Sequence, residues 1–247
     1  MTQVSYYNEF ATRYRAQILA APDASIWVKD AVPGPIQEAI QGAMKQRITM
    51  QKEMIRRHFD ASLPVLDLGC GFGRQLVVMA AMGMKVVGVD TSNIFIDIAR
   101  ELSRKHGMNA ELICESVEQF TPPNRFSQVV LFDLYEHILP KSRRRFLDHL
   151  HGVICAPQGK AIFTFPFVDS SLMSRAKNLG RSWAYHIPAF AKREHPYPIP
   201  NDQRFRLDIA GRFSILDYLS SGGTSCYVLA ALNSPPGKAI IANSSVE

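Results

Sequence analysis

The spacing of apolar residues changes character along the chain. In residues 3–20 and 35–59, apolar side chains recur every three or four positions, which is the spacing of amphipathic helices. Beyond residue 64, short apolar runs alternate with helical stretches, as in parallel strands joined by helical crossovers. The predicted strands are Val65–Leu68, Lys85–Asp90, Ala110–Cys114, Val129–Asp133 and Ala161–Phe165, and the predicted crossover helices are 73–83, 93–106 and 141–154. The pattern therefore predicts an α/β fold with a doubly wound, mostly parallel sheet.

The last third of the chain breaks this rhythm twice. Residues 166–206 carry five prolines among basic and aromatic residues, which predicts an inserted lid. Two further apolar runs, 213–219 and 226–232, flank Ser220-Ser221-Gly222-Gly223 and predict an antiparallel hairpin that completes a seven-stranded sheet. The predicted organisation is a helical N-terminal extension over residues 1–60 and a main domain over residues 61–247 that contains the lid.

Length and composition fit one domain with attachments. Of the 247 residues, 47% are hydrophobic, which is enough for a sizeable core. No apolar run reaches the length of a membrane-spanning helix, and charged residues occupy the N-terminal region where a signal peptide needs an apolar core. These features predict a cytoplasmic protein without a membrane span.

Charge and cysteine usage narrow the ligand classes. The net charge of +6 favours an anionic ligand or partner. The four cysteines are far apart and form no C-x-x-C pair, which argues against a disulfide framework and a structural zinc site. His149 and His151 are two residues apart, so on a helix they point to different sides. No metal site is predicted.

A glycine-rich turn follows the first predicted strand and begins the next helix. Gly69, Gly71 and Gly73 have the spacing G-x-G-x-G, and such a turn presents backbone amides and a helix N-terminus to a ligand. Asp67 precedes the first glycine by two residues. A carboxylate at this position suits the ammonium group of a ligand better than the pyrophosphate of a dinucleotide.

A second acid, Asp90, ends the next predicted strand. A doubly wound fold places at this point the carboxylate that accepts hydrogen bonds from ribose hydroxyls. The alternative, that Asp67 and Asp90 only cap the helices that follow them, stays open. On the first interpretation, the ligand contains an ammonium group and a ribose.

Three segments together resemble the class I S-adenosylmethionine-dependent methyltransferases. They are Val65-Leu66-Asp67-Leu68-Gly69-Cys70-Gly71-Phe72-Gly73-Arg74, Gly88-Val89-Asp90-Thr91-Ser92 and Asp133-Leu134-Tyr135-Glu136-His137-Ile138, which are similar to the family's first, second and fourth motifs. The resemblance covers residues 60 to 166 and implies a Rossmann-like fold that binds S-adenosylmethionine.

The resemblance also implies roles for individual residues. The glycines would cradle the methionine part of the cofactor, Asp90 would hold the ribose, and Asp133 and Leu134 would lie beside the transferred methyl group. Glu115, Ser116 or Val117 would contact the adenine. The expected cofactor-binding residues are Asp67, Gly69, Gly71, Gly73, Asp90, Thr91, Glu115, Ser116, Val117, Asp133, Leu134 and Tyr14.

Two positions depart from the family pattern. Glu115 stands where the family most often has Asp, which weakens its assignment to the adenine. Gln128, before the fourth predicted strand, replaces a usual Asp and predicts a local structural change.

Two candidates lie closest to the chemistry. His137 follows the fourth predicted strand and is either a general base or a structural residue. The first helix resembles a segment that folds over the cofactor in small-molecule methyltransferases, so Tyr14 either lines the pocket or packs against the domain. Arg143-Arg144-Arg145 is interpreted as a surface run.

The predicted function is transfer of a methyl group from S-adenosylmethionine to an oxygen or nitrogen atom of a small metabolite by in-line displacement, with S-adenosylhomocysteine as product. The charge favours an anionic acceptor such as a sugar or a nucleotide-linked sugar. Three alternatives stay open: an RNA or protein methyltransferase, a non-catalytic cofactor-binding protein, and a lipid or quinone headgroup as acceptor. Asp133-Leu134-Tyr135-Glu136 lacks the Asn/Asp-Pro-Pro-Tyr pattern of base N-methylation, so no stable nucleic-acid partner is expected.

Overall fold

One mixed sheet organises the protein. The computed structural model describes residues 3–20, 34–166, 197, 199–221 and 224–233. Its strands are β1 (Val65–Leu68), β2 (Val86–Asp90), β3 (Ala110–Cys114), β4 (Phe126–Phe132), β5 (Cys155–Pro166), β6 (Phe213–Ser221) and β7 (Thr224–Ala231). The order is β3-β2-β1-β4-β5-β7-β6, and only the pairs that involve β7 are antiparallel. The predicted doubly wound, Rossmann-like sheet with an antiparallel C-terminal hairpin is confirmed.

Helices cover the sheet on both faces. They are α1 (Gln3–Ala20), α2 (Gly34–His58), α3 (Arg74–Ala81), α4 (Asn93–Lys105), α5 (Arg143–His149) and α6 (Asp202–Ile209). Because both faces are covered, every residue of β1 is buried, and the core lies on either side of the central strands. The predicted helix over 141–154 is divided into a 3₁₀ turn, α5 and a π-helical turn at Leu150–Ile154.

Helix α1 packs against α4. Ala11 and Ile18 are buried against Phe95, Ile98 and Leu102 in one apolar cluster. Two side-chain bonds join the same helices: Ser92 Oγ donates to Asn8 Oδ1 at 2.5 Å, and Arg15 Nη2 donates to Glu101 Oε2 at 2.7 Å. Helix α1 is therefore fixed to α4, the helix that follows β2.

Gln128, where the sequence predicted a local structural change, links β4 by hydrogen bonds to the loop between α2 and β1. The side chain is buried, and its Nε2 donates to the carbonyl oxygens of Asp60 and Leu63 at 3.0 and 3.3 Å. Its Oε1 accepts the amide hydrogen of Asp60. An amide can both donate and accept, so Gln128 satisfies three backbone groups that a carboxylate could not satisfy together.

The predicted lid falls mostly outside the described residues, which omit 167–196 and 198. Its last part belongs to α6 instead. Phe205 is buried with its ring 4.8 Å from those of Phe165 and Tyr227. Residues 202–206 of the predicted lid therefore lie in a short helix that packs on the sheet, and the lid itself stays a prediction.

Three further observations concern the cysteines, the apolar character of the helices and the grouping of metal-binding side chains. All four cysteines are free thiols, and Cys70, Cys155 and Cys226 are buried. In the described part of the chain, no helix combines the length and apolar character needed to cross a bilayer. Within the same residues, no group of three or more acidic, His or Cys side chains is arranged to hold a metal ion.

Candidate active site

A cavity of about 590 Å³ opens at the carboxyl ends of β1, β2, β3 and β4. Loops after parallel strands meet at this edge of a doubly wound sheet, where such folds bind their ligands. Helices α1 and α2 supply further parts of the wall. The lining residues are Val4, Tyr7, Met44, Arg47, Ile48, Gln51, Asp67, Gly69, Cys70, Gly71, Phe72, Arg74, Gln75, Asp90, Thr91, Phe95, Ser116, Val117, Glu118, Phe132, Asp133, Leu134, Glu136, His137 and Ile138.

The glycine turn forms the floor of one end of this cavity. Gly69 has φ +74°, and a Cβ added there would lie 2.8 Å from Leu134 Cδ1. Gly73 is the N-cap residue of α3, with φ +91°, and as a glycine it has no side chain that could bind the first amides of the helix. The turn therefore needs glycine for its backbone conformation and leaves helix amides available to a ligand.

Asp67 is a buried carboxyl in the cavity wall with one unsatisfied oxygen. Its side chain is 2% exposed, and Oδ2 has no hydrogen-bond partner within the described residues. Burial raises the pKa of Asp67 to about 8, and the nearby charge of Asp90 adds to the rise. A buried acid without a partner is costly in a folded protein, so this group fits a ligand that brings a cation.

Asp90 joins the glycine turn to the start of α4. Its Oδ2 accepts from the amide of Gly71 at 2.9 Å, and its Oδ1 accepts from the amide of Ser92 at 2.8 Å. Burial raises the pKa of Asp90, while these backbone bonds oppose the rise. Each oxygen retains a second lone pair, so the carboxylate can also accept hydrogen bonds from two ligand hydroxyls.

The other predicted cofactor-binding residues divide into two groups. Thr91, Ser116, Val117, Asp133 and Leu134 line the cavity together with the acids and the first two glycines. Glu115, Gly73 and Tyr14 do not line it.

Tyr14 packs between α1 and α4. Its ring is 4.8 Å from that of Phe10, in the cluster that these helices share. Tyr14 does not line the cavity, because the cavity does not extend that far along α1. Tyr7, two turns earlier on the same helix, lines the cavity in its place.

Helix α2 contributes a set of residues that sequence reasoning missed. Met44, Arg47, Ile48 and Gln51 all line the cavity. They are spaced three, four and seven positions apart, which places them on one face of a helix. Two polar residues on an otherwise apolar helical face were the available signal in the sequence.

Arg47 holds Asp133 across the cavity. Its Nη1 lies 3.0 Å from Asp133 Oδ2, and its Nε donates to Thr224 Oγ1 at 2.8 Å. Asp133 follows β4 with φ +54°, a conformation that is uncommon outside glycine. The ion pair therefore ties α2 to the strained residue at the end of the central strand.

A buried polar chain extends this tie. Gln75 Nε2 donates to Gln51 Oε1, and Gln51 Nε2 donates to Thr164 Oγ1 at 2.9 Å. Thr164 Oγ1 in turn donates to Asp133 Oδ1 at 3.3 Å. Both oxygens of Asp133 are thus occupied by protein groups.

Glu136 and His137 also line the cavity. The side chain of Glu136 is buried, and neither carboxyl oxygen has a hydrogen-bond partner among the described residues. Burial raises the pKa of Glu136 well above its usual range, and the charge of Asp133 adds to the rise. The hydroxyl of Tyr7 lies 3.2 Å from His137 Nε2 and 3.4 Å from Nδ1, so this imidazole contacts α1.

Arg143 supports the backbone of Glu136 and Ile138 from behind, which corrects its interpretation as part of a surface run. It is buried, and it donates to the carbonyl oxygens of Ile138 at 3.2 Å and Glu136 at 3.3 Å. Its guanidinium also lies 5.3 Å from the centre of the Tyr135 ring.

Replacing Arg143 by methionine is expected to lower the free energy of unfolding by about 2–3 kcal/mol, because two buried carbonyl groups lose a charged donor. Chemical denaturation measures the change. The matched control is Arg145→Met on the exposed side of α5, with an expected change below about 0.5 kcal/mol. Equal effects in the two variants would contradict the supporting role.

Part of the chain is similar in sequence to known methyltransferases. A family model described as a methyltransferase domain matches residues 65–159. The ubiquinone biosynthesis O-methyltransferase of Coxiella burnetii (strain Dugway 5J108-111) is 32% identical over 101 residues, which are 40% of this chain and 42% of that protein. The chain thus spans less than half the length of this curated relative.

Solved structures share the fold over most of the chain. Magnesium protoporphyrin IX methyltransferase from Synechocystis PCC 6803 with bound S-adenosylhomocysteine has a TM-score of 0.64 at 16% identity, covering 92% of this chain and 97% of that one. An N-methyltransferase from Bradyrhizobium japonicum WM9, also with bound S-adenosylhomocysteine, has a TM-score of 0.57 at 11% identity, covering 76% and 87%.

The motifs, the sheet order and the matched segment agree with one another. The glycine turn, Asp67, Asp90 and the segment from Asp133 to Ile138 all lie on one edge of the sheet, in a fold shared with solved methyltransferases. Residues 65–159 of the chain therefore match the methyltransferase domain, within a fold that the chain shares with solved methyltransferases.

Proposed function

We propose that this protein transfers the methyl group of S-adenosylmethionine to a hydroxyl oxygen of a small, largely apolar molecule. The observation that carries the donor assignment is the orphaned carboxyl of Asp67, which is buried beside the glycine turn. S-adenosylmethionine has an ammonium group that would neutralise this acid, and two ribose hydroxyls that would bind Asp90.

The described residues fit this donor along one end of the cavity. Asp67 would bind the ammonium group, Asp90 the ribose, and Ser116 with Val117 the adenine. The bound donor supplies a methyl group that its sulfonium already activates. The protein would then contribute by holding the acceptor in line and excluding water, and the residues of α1 and α2 that line the cavity would take part in both.

The apolar part of the lining supports the acceptor class. Its residues are Val4, Met44, Ile48, Leu134 and Ile138. This surface suits a ring or hydrocarbon body better than the sugar that the net charge favoured. The similarity to an O-methyltransferase of Coxiella burnetii supports transfer to oxygen.

The pairing of Arg47, a cationic residue of the lining, also affects the expectation of an anionic acceptor. Arg47 is paired with Asp133 at 3.0 Å. A neutral acceptor can therefore bind without breaking that ion pair. The absence of stable nucleic-acid partners and the cytoplasmic location stay predictions.

Calorimetric titration tests the donor first, with NAD as the competing cofactor. We expect S-adenosylmethionine to bind and NAD not to bind, because a carboxylate stands where a pyrophosphate would need donors. Transfer of a labelled methyl group is then measured with phenols, amines, phosphorylated sugars and bulk RNA.

Label in the phenols supports the proposal, while label in RNA alone would favour the nucleic-acid alternative. Binding of S-adenosylmethionine without any transfer would favour a non-catalytic role. Binding of NAD alone would overturn the donor assignment.

A further inference from the structure

The acids that line the cavity differ in the elements they contact. Asp67 lies two residues before the first glycine of the turn, and Asp90 accepts a hydrogen bond from the amide of Gly71 at 2.9 Å. Asp133 is paired with Arg47 of α2 at 3.0 Å, and Glu136 follows it by three residues in the same segment. We call the lining around Asp67 and Asp90 the glycine-turn end, and the lining around Arg47, Asp133 and Glu136 the Glu136 end.

Asp133 and Glu136 differ in their partners. Asp133 contacts Arg47 at 3.0 Å and Thr164 at 3.3 Å, so both of its oxygens are occupied. Glu136 is 1% exposed, and neither of its oxygens has a hydrogen-bond partner in the described part of the chain. A buried carboxyl without partners lowers stability unless a ligand supplies them. Glu136 therefore has the properties of a ligand-binding group.

The groups of the donor do not account for Glu136. On the proposed function, on which this inference rests, the ammonium group binds Asp67 and the ribose binds Asp90. Glu136 lines the same cavity, and no group of the donor is assigned to it. We propose that Glu136 binds the acceptor hydroxyl and takes its proton during methyl transfer.

The step balances in atoms and electrons. The acceptor O–H bond breaks and its proton moves to a carboxylate oxygen of Glu136. The acceptor oxygen forms a bond to the methyl carbon, and the bond between that carbon and sulfur breaks. Its electron pair stays on sulfur, so the positive sulfonium becomes a neutral thioether and no other reactant is needed.

The surroundings of Glu136 suit proton transfer from a phenol. Asp133 faces Glu136 from the end of β4, Arg47 from α2 and Arg143 from α5, with Tyr135 and His137 adjacent in the chain. Burial makes the carboxylate a stronger base, which brings its affinity for a proton closer to that of a phenolate, whose conjugate acid has a pKa of about 10.

The geometry favours Glu136 over His137 for this role. The Tyr7 hydroxyl lies within hydrogen-bonding distance of His137 Nε2, and the two rings meet edge-on with centroids 5.7 Å apart. His137 therefore positions α1 over the cavity. This arrangement assigns the histidine a structural role and the adjacent glutamate the chemical one.

The test compares Glu136→Gln with the matched control His137→Gln, using phenol and 4-nitrophenol as acceptors. Gln keeps the size of the side chain but cannot take a proton. We expect Glu136→Gln to lower kcat for phenol by at least about a hundredfold, the usual effect of losing a general base. The loss should be below about tenfold for 4-nitrophenol once it is ionised, since no proton then remains to be removed.

The pH profile gives a second kinetic readout. Wild-type kcat/KM for phenol should rise with pH, because Glu136 must be ionised to accept a proton and its pKa is raised. At pH values well below the pKa of phenol itself, about 10, this rise should disappear in Glu136→Gln, while His137→Gln should retain it. A rise that survives in Glu136→Gln and disappears in His137→Gln would overturn the proposal.

Ligand binding provides a readout that does not depend on transfer. Calorimetry compares phenol with anisole, which has no hydroxyl proton, in protein saturated with S-adenosylhomocysteine. Wild-type protein should prefer phenol by about tenfold, the scale of one charge-assisted hydrogen bond, and Glu136→Leu should lose the preference.

Each failure has a distinct meaning. Where wild-type protein methylates phenol, an unchanged preference for phenol in Glu136→Leu would overturn the role of Glu136. Failure of wild-type protein to bind S-adenosylmethionine, or to transfer its methyl group to any phenol, would instead remove the proposed function itself.

Discussion

Substitution of Asp67 by asparagine is expected to make the ligand-free protein more stable and its binding of S-adenosylmethionine weaker. The carboxyl has a pKa of about 8 in the folded protein, against an ordinary value of 3.8. Between these pH values the folded state holds a proton that the unfolded state releases. Stability therefore falls as the pH rises through this range and stays low above it. Asparagine does not ionise, so the variant should lack this fall.

The two effects are measured separately. Chemical denaturation at about pH 9 should show the variant more stable than wild type by at least about 1 kcal/mol. Calorimetry should show at least about tenfold weaker binding of S-adenosylmethionine, because a charge-assisted bond to the ammonium group is lost. Asp97→Asn on the exposed face of α4 is the control. A variant that is less stable at high pH and binds normally would contradict the assignment of Asp67.

Substitution of Asp90 by alanine is expected to weaken binding of S-adenosylmethionine by about 1.5–3 kcal/mol, the scale of charge-assisted hydrogen bonds lost from a buried site. Calorimetry measures this loss directly. Asp90 also accepts a hydrogen bond from the amide of Gly71. The loss of affinity could therefore come from the missing contact with the ribose or from a change in the glycine turn.

A second ligand that lacks a ribose hydroxyl distinguishes these two causes. S-adenosylhomocysteine and its 2′-deoxy analogue are titrated into wild type and Asp90→Ala, which forms a double-mutant cycle across the proposed contact. Wild type should discriminate between the two ligands, and the variant should not. Equal discrimination by both proteins would assign Asp90 to the turn alone.

The glycine-turn end of the cavity was predictable because its residues follow strands in a fixed pattern. A short buried strand, three glycines and an acid after the next strand define a turn, a helix start and a carboxylate without long-range information. The sheet was predictable for the same reason, since alternating strands and helices allow few connections.

The Glu136 end was not predictable in the same way. Arg47 meets Asp133 only because α2, far away in sequence, crosses the carboxyl end of β4. Arg143 looked like one of three exposed arginines, although the turn before α5 buries it beneath Glu136 and Ile138. Contacts between distant segments decide both positions, and periodicity within one segment does not report them.

Contacts between distant segments also decide which tyrosine of α1 lines the cavity. Tyr7 and Tyr14 are seven residues apart, so helical spacing places them on nearly the same face. The cavity ends between them, and Tyr14 meets Phe10 and the α4 cluster instead. The extent of a pocket along a helix depends on the neighbouring elements.

The position of α1 also has a kinetic consequence. Val4 and Tyr7 line the cavity, while Asn8, Ala11 and Ile18 fasten the same helix to the segment after β2. On the proposed function, we predict that spent donor and methylated product leave only after those contacts break. In rapid-mixing experiments such an enzyme shows a burst, in which the first methyl transfer runs ahead of every later one because product departure limits turnover.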